Sequence, residues 1–181
     1  MAPARVSDVV ALPFCADAAW LAIDRRLAQA EATGVVDASG VAALRRASDA
    51  LGDWRDRARR QVQVVCHGDV HPRNVLMSGD EVVIVDWDSI CLGPAAWDHA
   101  ALIPWAERYG GPVESYPDFA RGYGCDLRSS PLAQLLAAVR LLAATVNTVL
   151  IAASDPRYAA EVQARMQYWL GDRAAATWTA L

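Results

Sequence analysis

Residues 64–98, VVCHGDVHPRNVLMSGDEVVIVDWDSICLGPAAWD, decide how this chain reads. They hold two of its three His and a dense set of Asp. Apolar runs bracket the polar residues. Residues 62–65 predict a short buried strand, and 67–74 a loop. Residues 75–77 and 82–85, rich in branched apolar side chains, predict two strands joined by the turn Ser78-Gly79-Asp80. Asp86 and Asp88 leave the end of the second strand.

This pattern favours phosphoryl transfer. Asp69 would face a substrate hydroxyl and accept its proton. Asn74 would return at the far end of the same loop and offer an amide oxygen to a divalent cation, and Asp86 a carboxylate to the same cation. Mg²⁺ is a hard ion that takes oxygen ligands, usually with only one or two carboxylates, water and phosphate completing its shell. Such a metal bridges phosphate oxygens while the base orients the nucleophile. A lone Asp after Gly is usually a turn residue. The ordered series His-Gly-Asp, Asn, hairpin, Asp-x-Asp argues for more than a turn.

His67-Gly68-Asp69-Val70-His71-Pro72-Arg73-Asn74, followed by Ile84-Val85-Asp86-Trp87-Asp88, resembles the aminoglycoside phosphotransferase family, which has the protein-kinase-like fold. The resemblance implies that Asp69 is the catalytic Asp, Asn74 the metal-binding Asn, and Asp86 the metal-binding Asp that kinases carry in Asp-Phe-Gly. Gly93-Pro94 and Trp97-Asp98 resemble the segment where the family enters its next helix, with Asp98 bracing the catalytic loop. His67 is expected to fix the loop by hydrogen bonding, His71 to be structural, and Asp88 to support the metal. Arg73 departs from a common Gly. The specific match covers about 35 residues, in which the family's motif positions are otherwise kept.

A chain of 181 residues suits one domain or a domain with an extension and can bury a sizeable core. With 54% hydrophobic residues it is not broadly disordered, and a net charge of −4 gives no support to a nucleic-acid partner. All 17 basic residues are Arg. Kinase-like folds hold the α/β-phosphates with an N-lobe Lys and cover them with a Gly-rich loop. Neither is present here, since Gly34, Gly40 and Gly52 are isolated. The family's N-terminal lobe is therefore expected to be absent. Cys15, Cys66, Cys91 and Cys125 fit no C-x-x-C pattern and read as buried free thiols. The short apolar run near Val9 is interrupted by Pro13 and is not a secretory signal, which points to a cytoplasmic protein.

In chain order, residues 1–16 read as an irregular lead-in. Residues 17–33 predict a helix capped by Asp17, with Trp20, Ile23 and Leu27 on one face and Gly34 as its stop. Ser39 would cap a second helix running to about Arg60. The arginines crowding its last turns (Arg55, Arg57, Arg59, Arg60) read as a solvated face, phosphate contact being the minor alternative. Residues 97–109 predict a helix broken or bent at Pro104 and 114–123 a short helix, with His99 a packing or hydrogen-bonding residue. Residues 130–153 are apolar enough to span a bilayer, but Arg140 near the middle argues for a core helix and no membrane. Asp155 and Pro156 start a last helix reaching Leu170, and Trp178 and Leu181 lie in a tail that folds back.

The resulting expectation is an α+β, mostly α-helical single domain resembling a protein-kinase-like C-terminal lobe. Residues 1–61 form leading helices, 62–98 the catalytic and metal-binding core with its small β-hairpin, and 99–181 a helical acceptor-side subdomain. The expected reaction moves a phosphoryl group from ATP or GTP, with Mg²⁺, to a hydroxyl of a small molecule. A missing N-terminal lobe or a partner chain would supply the nucleotide grip. Two other readings are a catalytically weak binding module of the same fold and, less favoured, a metal-dependent hydrolase.

Overall fold

A computed structural model describes residues 11–79, 81–172, 174 and 177–180. Among them lie eight α-helices and four short strands. The helices are α1 (Ile23–Ala32), α2 (Ala38–Leu51), α3 (Trp54–Arg59), α4 (Ala96–Leu102), α5 (Trp105–Tyr109), α6 (Ser115–Tyr123), α7 (Pro131–Ser154) and α8 (Ala159–Trp169). The strands are β1 (Val64–Cys66), β2 (Val75–Ser78), β3 (Glu81–Ile84) and β4 (Cys91–Gly93). The mostly helical α+β class is as expected.

Helix α7 is the spine. Ser130 caps it by accepting from the Ala133 N–H, and Pro131 occupies the first turn, where no amide hydrogen is needed. A helix that is apolar nearly all round must be enclosed. Although α7 is long and apolar enough to cross a membrane, it is wrapped by α1, α2, α3, α4 and α8. Leu136, Val139, Leu142, Val146 and Val149 are all but fully buried, each burial contributing about 1.5–3 kcal/mol.

The leading helices differ from expectation at their ends. Asp17 caps nothing: residues Cys15–Asp17 and Ala19–Leu21 form two 3₁₀ turns separated by Ala18 in an extended conformation (ψ 133°), and α1 begins only at Ile23. Asp17 pairs instead with Arg59 at 2.8 Å. Asp37, not Ser39, caps α2, accepting from the Gly40 N–H at 2.8 Å, and the Ser39 hydroxyl donates to the same carboxylate. The long second helix is split, because Gly52 adopts φ 54°, ψ −135°, outside helical space, before α3 restarts. Nor is Arg55 part of a solvated face: its guanidinium bonds the carbonyls of Ala16 and Leu21, tying the lead-in segment to α3. Arg60 pairs with Asp53 at 2.8 Å.

The strands form two antiparallel pairs. In the hairpin, Val75 faces Ile84 and Ser78 faces Glu81. Gly79 takes φ 62° in the turn; Asp80 lies outside the described residues. β1 pairs with β4, a strand the sequence reading missed, with Cys66 opposite Cys91. Phe14 adds a parallel bridge to Leu92. The expected buried strand at 62–65 is displaced and largely exposed: Val62 is 84% and Val65 58% accessible, and only Cys66 is enclosed. Leu76, Met77, Val82, Val83, Ile84 and Trp87 are also exposed. The described residues thus leave apolar side chains exposed on both faces of the hairpin, more than the scattered single residues usual on a protein surface.

On the other side of the spine, Pro104 separates α4 from α5. Fully buried His99 packs against Phe119 and Tyr123 and bonds the Tyr116 hydroxyl at 2.8 Å. The last helix begins as a 3₁₀ turn, Pro156–Tyr158, before α8. Trp178 does fold back: it is buried, and its backbone N–H donates to the Arg108 carbonyl at 2.5 Å. Leu181 and residues 1–10 lie outside the described residues. Cys15, Cys66 and Cys91 are buried free thiols, whereas Cys125 is exposed.

Candidate active site

The loop after β1 is held from three directions. Asp98, in the first turn of α4, accepts from the N–H of His67 at 3.1 Å and of Gly68 at 2.8 Å, one oxygen for each. The His67 ring bonds the Val85 carbonyl at 2.9 Å through Nε2. The Asp69 N–H donates to His67 Nδ1 at 3.3 Å. An amide can only donate there, so Nδ1 is the acceptor and Nε2 the ring atom that donates to the Val85 carbonyl. Gly68 adopts φ 87°, and a Cβ on it would sit 2.0 Å from the Ser89 carbonyl oxygen. No other residue type fits this approach.

The pinned loop presents Asp69. One carboxylate oxygen receives Arg140 Nη2 at 2.5 Å, while Arg140 Nη1 donates to the Gly68 carbonyl at 2.8 Å. The other oxygen lies 3.4 Å from His71 Nε2, and the His71 ring stacks on Trp105 with centroids 4.8 Å apart. Burial pulls the Asp69 carboxyl upward, but His71 and Arg140 outweigh it and hold the group below the usual carboxylate range. Asp98 moves the other way: burial raises it more than the Gly68 and His67 amides and Arg140 lower it.

Asn74 is buried at the entrance to β2, its amide donating to the Asp69 carbonyl at 3.0 Å. That leaves the side-chain oxygen as its ligand atom. Val75 pairs with Ile84, and the Val85 N–H donates to the Asn74 carbonyl at 2.9 Å. Asn74 and Asp86 therefore flank the same end of the hairpin. Asp86 has φ 65°, the only positive φ among described residues other than Gly. Asp88 stands exposed in the 3₁₀ turn Trp87–Ser89 that follows. A carboxylate and an amide oxygen suit a hard cation with few protein ligands. Among the described residues no group of three or more His, Cys, Asp or Glu gathers as a dedicated metal cage.

Beside Asp69 lies a cavity of about 350 Å³, walled by α4, α5 and α7 and lined by Trp20, Trp105, Tyr109 and Arg140 among others. Asn74 and Asp86 are not part of its wall. Asp69 thus sits between the cavity and the hairpin end. The sequence-selected residues His67, Asp69, Asn74 and Asp98 come together in one hydrogen-bonded unit; Asp86 joins through the hairpin, and Asp88 stands exposed in the turn that follows it. Arg140 was missed as a site residue. The signal was present: a lone cation inside an apolar helix must find a partner when buried.

Among curated proteins no match is found. One solved structure, a thermostable mutant of the aminoglycoside phosphotransferase APH(4)-Ia in its apo form, is similar at 20% identity and a TM-score of 0.58. The match covers 86% of this chain and 54% of that one, so the chain spans about half its length. The likeness is one of fold, that of a kinase-like lobe. The model of the phosphotransferase enzyme family (APH) matches residues 4–142, taking in the pinned loop, the hairpin, Asp98 and Arg140, and the chain belongs to that family.

Proposed function

We propose that this chain carries the catalytic and metal-binding half of a phosphotransferase that moves the γ-phosphoryl group of ATP or GTP to a hydroxyl of a small molecule. The observation that carries this reading is the position of Asp69, ionised and pinned between a cavity on one side and the Asn74–Asp86 end of the hairpin on the other. In it, Asp69 orients the acceptor hydroxyl and takes its proton. Asn74 and Asp86 hold Mg²⁺, which when bound neutralises charge on the transferring phosphates. His67 and Asp98 keep the loop in place, and Asp88 supports the metal side.

Asp86→Ala is expected to weaken Mg²⁺-nucleotide binding while leaving acceptor binding unchanged, because Asp86 is the one charged ligand assigned to the metal. Calorimetry of nucleotide and acceptor, titrated separately, checks this. Equal nucleotide affinity in variant and parent places the metal elsewhere.

These 181 residues contain no Lys and no Gly-rich loop. In a kinase-like site those parts position the triphosphate over the metal, and catalysis is almost wholly positioning and electrostatics. Purified as it stands, the chain is expected to turn over far below about 1 s⁻¹, the lower end usual for kinases. Addition of a separately expressed N-terminal lobe of the family is the comparison, and the exposed apolar side chains of the hairpin support a covering lobe there. Turnover at or above that rate by the chain alone overturns the need for one.

The same two features favour a second reading, a binding module with weak or no catalysis. Nucleotide titration with and without Mg²⁺ separates the two: metal-dependent binding supports transfer, and none supports the module.

A further inference from the structure

The cavity beside Asp69 is enclosed by charges that are already matched. Asp69 is engaged by Arg140 and His71. Arg140 spends its second amine on the Gly68 carbonyl, and its guanidinium lies over the rings of Trp97 and Trp20, 5.0 and 5.3 Å from their centroids. Arg165, 2% accessible, bonds Glu161 at 2.6 Å and the Thr179 carbonyl at 2.7 Å. Two uncharged polar groups of the wall are used as well, the Thr148 hydroxyl donating to the Ala144 carbonyl at 2.9 Å and the Asn147 side-chain oxygen accepting from Arg26 at 2.5 Å, while the buried His71 Nδ1 has no hydrogen-bond partner among the described residues and is left for a neutral ligand's hydrogen bond. The rest of the wall is aromatic or aliphatic, including Trp20, Trp105 and Ile151. Burial raises the Tyr109 phenol, so it stays a neutral hydrogen-bonding group.

We infer that this cavity admits an uncharged, partly aromatic hydroxyl compound and discriminates against both cationic and anionic ones. The inference rests on the reading of Asp69 as the residue that faces the acceptor. A cationic ligand entering here loses its hydration, finds no unmatched carboxylate, and approaches Arg140. An anion meets Asp69 and finds both guanidiniums engaged. A neutral ligand has neither cost and gains from apolar and ring contact. At about 350 Å³ the cavity lies at the small end of ligand pockets, which suits one sugar-sized unit with an aryl group.

The test uses the whole chain and three probes of one size: phenyl glucoside, phenyl glucuronide, and phenyl 2-amino-2-deoxyglucoside. Calorimetry without nucleotide is expected to show the neutral glucoside binding on the order of tenfold or more tighter than either charged probe, since a charge that is desolvated without a new partner is disfavoured. Ile151 lines the cavity at its accessible edge, 40% exposed. Ile151→Glu adds an unmatched carboxylate there and is expected to bring the amino probe level with the neutral one. Equal or tighter binding of a charged probe to the parent, or no binding by any of the three, overturns the inference. Phosphate transfer is then measured with Mg²⁺-ATP and the covering lobe. A probe that binds but is never phosphorylated counts against phosphoryl transfer and leaves the selectivity standing. Preferential phosphorylation of the amino probe overturns the selectivity and leaves transfer standing.

Discussion

Asp69→Asn is expected to lower turnover by about 10²–10⁴-fold, the usual contribution of a positioned acid–base group, with the fold kept but thermal stability reduced, because the buried Arg140 guanidinium loses its counter-charge. The amide keeps the shape of the carboxylate but cannot take a proton from the acceptor hydroxyl, and it loses the charge that Arg140 holds at 2.5 Å. The fold is set elsewhere, by α7 and by Asp98, and the amide keeps the shape of the cavity wall, so the loss should fall mainly on kcat. The pH profile gives a second readout. His71 and Arg140 hold the Asp69 carboxyl below its usual range against the upward pull of burial. Asp69 therefore stays ionised until the pH drops below the ordinary carboxylate range, and, with Asp69 in its proposed role as base, activity in the parent should fall only there. The stability that Asp69 contributes through its ion pair has the same sign: it is present above the unfolded-state pKa and is lost as pH falls through the lower folded-state value. Kinetics across pH beside a thermal melt measure both, with the covering lobe present. Unchanged turnover in Asp69→Asn removes the residue from the chemistry.

Asp98→Ala should damage the fold itself. The carboxylate accepts two buried N–H groups, those of His67 and Gly68. Each buried donor left without an acceptor costs about 1–3 kcal/mol. The pair therefore amounts to about 2–6 kcal/mol, and with about 2–4 °C per kcal/mol for a chain of this size, Tm should drop by about 5–20 °C. Activity should fall too, because the loop that carries Asp69 loses its tether to α4. Burial holds the Asp98 carboxyl above its usual value despite those amides. Its linked stability is thus full below the unfolded-state pKa and declines as pH rises through the folded-state value, a decline the Ala variant should lack. Equal melting temperatures for variant and parent would show that the loop is held without Asp98.

Much of this was legible because it is local. The hairpin follows from branched apolar runs around a Ser-Gly-Asp turn, although Ser78 belongs to β2 and pairs with Glu81, one residue beyond the strand end the sequence suggests. The start of α7 follows from Ser130 and Pro131, and the break between α4 and α5 from Pro104. Local signals misled where two of them competed. Asp17 offers a capping carboxylate, yet Ala18 is extended and turns the chain before α1, and in α2 the cap falls to Asp37 rather than to Ser39, whose hydroxyl donates to the Asp37 carboxylate. Gly52 reads as a tolerated helical glycine, yet its backbone leaves helical space and splits the segment.

The sequence by itself determined the family motif, the helix-rich α+β class, and the order in which Asp69, Asn74 and Asp86 reach one hairpin, since loop length and strand pairing act over a few residues. Only the tertiary structure decided what surrounds them. The pairing of β1 with β4 joins strands about 25 residues apart, and the Arg140–Asp69 contact spans 71 positions. Neither has a local signature. Whether an apolar strand is enclosed or exposed depends on what packs over it, and periodicity does not report that. The charge of the cavity is likewise a sum over side chains from α4, α5, α7 and the lead-in turns. Each is unremarkable in sequence, and burial and ion pairing give them their meaning only once the chain has brought them together.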